Sequence, residues 1–361
     1  MTTTTLSLDD LTPEDAELTY TRTVDRALVH RDSLGEVFLT DLRPPRSTCR
    51  RAAAQLPRSH AYYGDHLLRP SAYDPVLLLE ACRQSCLAGA HEFYGVPADH
   101  KFILTHLRIQ LTRPERIAVG TAPCALSMRV TVVAHRRREG RTTGLDYEIG
   151  LFVGRIEIGT ASVGLRFKSP SDYMELRLRN RGGTPLPSSG THEDTTPATA
   201  VDPYLVGRTN PRNVVLADAE TKDDTARAVL RIPGDHPSMF DHPQDHLPGM
   251  VIAEAARQIA LLTALEARGM SPSKTLPTAL SVVFSQFGEL EKTTVITCQV
   301  GEERQAPAVD EDVYYTQGGT VELDPAAAES AGRLPVRVVA DQDGETLCVF
   351  SLTLSRVGLR S

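Results

Sequence analysis

The chain has 361 residues, 41% of them hydrophobic, with 46 acidic against 39 basic side chains and a formal net charge of −7. That length predicts about two domains, and that composition predicts packed cores and excludes a globally disordered chain. The acidic balance argues against nucleic acid as the main partner, six scattered cysteines without a Cys-x-x-Cys exclude a disulfide scaffold, and no run of eighteen apolar residues is present to cross a membrane.

Residues 1–20 are polar and expected to be loose. Asp9, Asp10, Glu14 and Asp15 stand where a secretory leader would carry basic and then apolar residues, so the default expectation is a cytoplasmic protein. Strand-like runs follow at Ala27-Leu28-Val29 and Glu36-Val37-Phe38-Leu39-Thr40, then a basic, proline-containing loop over 43–51. Next comes the stretch 64–84. It carries Asp65-His66 in a loop, a helix start at Asp74-Pro75, and an apolar run interrupted by Glu80, with Arg83 and Gln84 three and four residues on. Residues 76–94 are predicted as one helix, apolar round nearly its whole circumference and ended by Gly95 and Pro97. Such a helix must be wrapped by other structure.

Strands are predicted at 102–112, 125–134, 145–153 and 155–167. Residues 169–202, with Gly182-Gly183-Thr184-Pro185-Leu186-Pro187, have linker composition. The expected domains are therefore 1–172 and 204–361, joined by 173–203.

The second half repeats the order. A strand at 213–218 and one at 226–232 precede Asp241-His242, Asp245-His246 and Pro248-Gly249, and a wrapped helix over 250–267 carries Glu254, Arg257 and Gln258. Strands at 280–284, 293–300, 335–340 and 347–354 follow, with a polar excursion over 301–333. Glu80 lies 29 residues before Ile109 and Glu254 lies 30 before Phe284, a shared spacing that indicates an internal duplication. A long helix followed by successive antiparallel strands argues an α+β fold, two units each with a sheet wrapped around a central helix, paired edge to edge.

This unit resembles the hotdog fold. The first stretch is also similar to the active-site loop of hotdog 3-hydroxyacyl carrier-protein dehydratases, with His66 and Glu80 fourteen residues apart. A resemblance covering nearly the whole chain rests on several motifs in order. They are Val29-His30, Glu36-Val37-Phe38-Leu39-Thr40-Asp41, Pro57-Arg58-Ser59-His60, Gly207-Arg208, Pro211-Arg212-Asn213-Val214-Val215-Leu216, Phe240-Asp241-His242-Pro243 and the run from Asp245 to Gln258. Together they resemble the A-factor (γ-butyrolactone) synthase, or AfsA-like, family. The resemblance implies a tandem hotdog acyltransferase without cofactor. It would move a β-ketoacyl group from acyl carrier protein to a hydroxyl of dihydroxyacetone phosphate, the first step towards butyrolactone, butenolide or furan signals. A monomer and a homodimer are both compatible, because the duplication already supplies one hotdog pair.

That reaction needs a base for the alcohol, a polarised carbonyl and a hold on phosphate. Glu254 and Glu80 sit inside apolar helices, where burial is expected to raise a carboxyl pKa and make it a base; the plain alternative is an ion pair with the arginine three residues on. Arg257 and Arg83 offer planar forks for phosphate, and Gln258 a pocket hydrogen bond. Gly249 at a helix start would let substrate approach free amides, whereas the equivalent Pro75 has none, so the two half-sites are expected to be unequal. His66, His242 and His246 are candidate acid–base or loop-holding groups, and Arg208 and Arg212 are candidates to reach the phosphate. Pro243 and Pro248 exclude a helical His242/His246 metal pair, so no metal site is expected. Cys82 and Cys86 read as inert packing. The basic tract Arg136-Arg137-Arg138 reads as soluble surface or as a dock for an acidic carrier protein. The rival readings are a dehydratase or thioesterase on the same fold, and a non-catalytic binder of an acyl or lactone ligand.

Overall fold

A computed structural model describes residues 18–192, 199–301 and 332–357. Residues 1–17 of the polar N-terminal stretch and most of the 301–333 excursion lie outside the described residues. Twelve strands and three helices are described: β1 (Leu39–Leu42), β2 (Cys49–Leu56), α1 (Pro75–Tyr94), β3 (Lys101–Leu111), β4 (Cys124–Arg138), β5 (Arg141–Val153), β6 (Ile156–Lys168), α2 (Pro170–Asn180), β7 (Leu216–Lys222), β8 (Thr225–Leu230), α3 (Gly249–Arg268), β9 (Thr275–Phe284), β10 (Thr294–Val300), β11 (Arg333–Gln342) and β12 (Glu345–Arg356).

Alternation makes the strands one-faced. From Ile103 to Leu111 every second side chain of β3 is buried, and β10 buries Thr294, Ile296, Cys298 and Val300 on one face. That face closes on a helix in each half. α1 packs on β1, β2, β3, β5 and β6, and α3 on β7 to β12. Fifteen of the twenty residues of α1 and fourteen of the twenty of α3 are buried, which requires wrapping on nearly all sides. Each fully buried leucine, such as Leu78 or Leu79, stabilises the fold by roughly 1.5–3 kcal/mol.

The strands form one antiparallel sheet in the order β1-β2-β4-β5-β6-β3-β9-β12-β11-β10-β8-β7. The order is palindromic: β1, β2, β4, β5, β6 and β3 correspond to β7, β8, β10, β11, β12 and β9. The halves join at β3 and β9, with His106 opposite Val283 and Gln110 opposite Ala279. This is the tandem hotdog arrangement.

Local differences from the sequence reading have local causes. Residues 26–29 form a 3-10 turn, capped by the Asp25 side chain and closed by left-handed His30, instead of a strand. Residues 49–51, read as loop, open β2, because Arg50 is buried and donates to the Ser85 carbonyl at 2.6 Å. Residues 211–213 form a second 3-10 turn, and β7 starts only at Leu216. The segment read as linker begins with α2. Ser169 caps it, Pro170 starts it, and buried Arg177 ties it to Asp245 at 3.1 Å and Glu289 at 2.7 Å in the second half.

Candidate active site

The duplication builds the same charged hub twice. Residues 24–41 and 201–218 align without a gap, which sets Arg31 on Arg208 and Glu36 on Asn213. In each half a 3-10 turn ends on a left-handed residue, His30 (φ 53°) or Gly207 (φ 77°), and the arginine comes next. That arginine reaches the helix acid. Arg31 Nη2 donates to Glu80 Oε1 at 2.6 Å, and Arg208 Nε donates to Glu254 Oε1 at 3.0 Å.

The helix supplies the rest. Arg83 grips Glu80 through Nε (2.7 Å) and Nη2 (2.8 Å), and Arg257 grips Glu254 through Nε (3.1 Å) and Nη2 (2.6 Å). Gln84 and Gln258 each donate to the adjacent acid, at 2.9 and 2.5 Å, and each also bonds the chain entering the first strand of its half, at Glu36 O and Asn213 O. Glu254 accepts one further bond, from the Tyr62 hydroxyl at 3.1 Å. Both carboxylates are fully buried, and a buried charge is tolerated only when its oxygens are satisfied in this way.

This satisfaction overturns the expectation that either acid is a base of raised pKa. Burial pushes both carboxyls up, but the Arg31 and Arg83 guanidiniums hold Glu80, and those of Arg208 and Arg257 hold Glu254, at about 2. Their unperturbed value is 4.5, so each contributes stability that is complete above pH 4.5 and lost as pH falls towards 2. His236, which burial lowers from 6.5 to about 4, acts with the same sign, losing stability as pH falls through that window. The thermal midpoint is therefore expected to fall continuously on acidification from pH 6.5. Melting curves from pH 7 to 3 should show the steeper part of that fall, below pH 4.5, flattened in E80Q and E254Q.

The halves are also interlocked. His60 accepts from the Tyr62 and Tyr63 amides, and His236 from the Ser238 and Met239 amides, so both histidines hold loops. Asp65 of the first half accepts from the Thr209 and Asn210 amides, at 3.0 and 3.1 Å, and from Asn213 Nδ2 at 2.7 Å. Asp241 of the second half accepts from the Asp32 and Ser33 amides at 2.6 and 3.0 Å. Each loop therefore fixes the arginine-bearing turn of the other half.

The crossing brings His66 to the Glu254 hub, not to Glu80. A cavity between the halves is lined by His66, Asp74 and Arg257 and walled by apolar residues including Leu68, Tyr73, Leu261 and Leu276. Asp74 caps α1 through Oδ1, and its Oδ2 lies 3.5 Å from Arg257 Nη1. Burial lowers the His66 pKa, Asp74 raises it, and Arg257 and Arg208 lower it, for a net value below the ordinary 6.5. The ring bonds the Ala72 backbone, and its buried Nδ1 has no partner. Hydrogen bonding thus assigns Nδ1 the free lone pair.

Other predicted residues lie elsewhere. Gly249 is not among the cavity's lining residues. Its missing side chain is filled by protein, since a Cβ there would stand 2.8 Å from the Phe284 ring and 3.1 Å from Leu104. G249A is expected to lower stability by about 1–3 kcal/mol in urea unfolding, through overpacking. Arg208 is fully buried on Glu254 and so is not presented to a phosphate, and Arg212 is exposed, paired with Asp235 at 3.2 Å and not among the cavity's lining residues. His242 stands beside Asp241 and under the influence of Arg31, in the Glu80 half. His246 belongs to a separate cluster with Asp245, Tyr173 and Phe287. Burial raises the Cys82 thiol far above its ordinary value and the Cys86 thiol to about 12, so both stay protonated. Among the described residues no group of His, Cys, Asp and Glu is arranged to hold a metal ion, and no helix is long and apolar enough to cross a membrane.

Arg31, Tyr62 and Asp74 were missed as site residues. Aligning the two turns would have revealed Arg31, and the Asp74-Pro75 pair marks a capped helix start, but nothing local marks Tyr62.

A family model described as the A-factor biosynthesis hotdog domain, AfsA, matches residues 13–169 and 189–321. A 2-oxo-3-(phosphooxy)propyl 3-oxoalkanoate synthase of Streptomyces virginiae is 33% identical over 94% of this chain and 99% of its own length. A synthase of the same name from Streptomyces griseus is 29% identical, covering 96% of each chain. Among solved structures, a pyran synthase domain from module nine of the sorangicin pathway covers 89% of this chain and 98% of its own at 15% identity and a TM-score of 0.48. An acyl-CoA thioesterase II from Mycobacterium marinum covers 89% and 96% at 11% identity and a TM-score of 0.39.

Proposed function

The chain belongs to the AfsA family of A-factor biosynthesis hotdog proteins, and from that premise we propose that it is an acyltransferase that joins a 3-oxoacyl group to dihydroxyacetone phosphate, giving a 2-oxo-3-(phosphooxy)propyl 3-oxoalkanoate. The observation that carries this reading is the end-to-end match to synthases named for that product. The donor is a thioester on acyl carrier protein, and the exposed tract at Arg137 and Arg138 is the surface offered to that acidic partner. The reaction is the first step of an autoregulator pathway.

We place the following chemistry at this cavity, which in the resting chain has room for little more than a water molecule. The acyl chain lies against Leu68, Tyr73, Leu261 and Leu276, with the thioester carbonyl at Arg257 Nη1. His66, neutral at pH 7, takes the proton of the attacking hydroxyl on Nδ1, and Asp74 stabilises the imidazolium that forms. The C–O bond of the ester forms, the C–S bond breaks, and His66 returns the proton to the leaving thiolate. Glu254 holds Arg257 in place and does not move a proton. Arg69 and Lys274 stand on exposed turns next to the lining residues Leu68 and Thr275 and meet the acceptor's phosphate at the cavity mouth.

Purified protein with a carrier-bound 3-oxoacyl thioester should form the phosphorylated ester only when dihydroxyacetone phosphate is added, as followed by mass spectrometry. Thioester hydrolysis or water loss at the same rate without that acceptor would replace this reading with the thioesterase or dehydratase one. Ligand-induced thermal stabilisation with no product from any donor would replace it with a binding protein.

A further inference from the structure

We infer that the Glu80 half is a second anion-binding site, separate from the cavity at Arg257, which takes a phosphate monoester through Arg83. The two hubs match in their carboxylate, both arginines and the glutamine, and differ in the Tyr62 hydroxyl on Glu254 and in what neutralises the outer face. In the Glu254 hub, Arg257 Nη1 faces the Asp74 carboxylate at 3.5 Å, and the Arg257 side chain is 5% exposed. Asp74 is the N-cap of α1; the N-cap of α3 is Pro248, which brings no carboxylate.

Arg83 spends Nε and Nη2 on Glu80, and its Nη1 has no acceptor among the described residues. Its side chain is 17% exposed, so the unspent edge meets solvent. Glu36, a further acid of this half, bonds His60 at 3.3 Å and Ser238 at 2.6 Å. Arg31, His242, His30, His91 and Lys101 lie around this site, and on the His242 side the carboxylates of Asp241 and Asp32, of which Asp241 is spent on the Asp32 and Ser33 amides. Around His30 the neighbouring groups are basic: after burial, His91, Arg83, His242 and Lys101 all push it down, to about 3. An open guanidinium edge suits a doubly charged phosphate with several acceptor oxygens. His242, about a third exposed, supplies a further donor.

The test is calorimetric titration of the full chain, with no acyl donor present, using inorganic phosphate, glycerol 3-phosphate and, as a singly charged diester, dimethyl phosphate. The two monoesters should bind saturably, and R83Q should weaken them by about ten-fold or more. P248D should do the same without touching Arg83, because an aspartate at that N-cap supplies the missing counter-ion while capping α3 favourably. The doubly substituted R69Q/K274Q protein, altered only at the cavity mouth, should retain the binding. Monoester binding lost in R69Q/K274Q but kept in R83Q and P248D would overturn the inference and leave the proposed reaction standing. Equal binding of dimethyl phosphate would overturn the monoester assignment. Binding that depends on Arg83, in a protein that forms no ester, would uphold the inference and remove the reaction.

Discussion

Replacing Glu254 with alanine should lower stability by about 3–5 kcal/mol as well as abolish ester formation. The carboxylate is fully buried and accepts from Arg208, Arg257, Gln258 and Tyr62. Its loss leaves two guanidiniums close together without their shared counter-ion, in surroundings that solvate them poorly. A base at the end of a cavity would behave differently, since its removal would silence the reaction and leave the fold nearly untouched. E80A should cost a similar amount of stability but reduce ester formation less, because His66 and the cavity lie on the Glu254 side. Taking out a positive and a negative charge together, in E254L/R208M, should recover most of the stability and none of the activity, because apolar replacement of a buried pair is often neutral. Urea unfolding midpoints and product mass spectra read the two effects separately. An E254A protein as stable as the parent would show that Glu254 is not the centre of this network.

The opposite balance is expected at His66. H66A should reduce kcat by about 10²- to 10⁴-fold, the usual share of a general base. Stability should change by only ~1 kcal/mol, because the ring's one bond is to the Ala72 backbone and its Nδ1 bonds nothing. The pH profile identifies the role. Burial and the nearby Arg257 and Arg208 lower the His66 pKa despite Asp74, so the active neutral form persists below pH 6.5 and the acid limb lies on the acid side of that value. In D74N the imidazolium loses its supporting carboxylate, and with it both rate and the position of that limb should shift, the limb moving to still lower pH. If H66A turned over at the parental rate with the parental profile, another group would have to take the proton.

The fold was legible because its signals are local and repeated. The two all-round apolar helices and the alternating strands are visible in any short window, and their matched spacing revealed the duplication. The start of β2 was not, because Arg50 reads as surface until Ser85 is known to lie against it. The site was half legible. The Glu-x-x-Arg-Gln pattern located both hubs in advance, since those three residues share one helix face. What it hid was the arginine arriving from a distant turn, Arg31 or Arg208, and that second cation reverses the direction of the carboxyl pKa. Nor could the sequence show that His66 lies beside Arg257 of the other half, because that meeting depends on how the two halves join at β3 and β9.

That junction has a consequence for how such a molecule can change. Where two identical subunits form a sheet of this kind, every substitution is written twice, and a mutation that tunes one cleft retunes its twin. Tethering the copies removes that bond of identity. Tyr62 against Ser238, Glu36 against Asn213 and Asp74 against Pro248 are places where the two halves of this chain have used that liberty and now differ at matched positions.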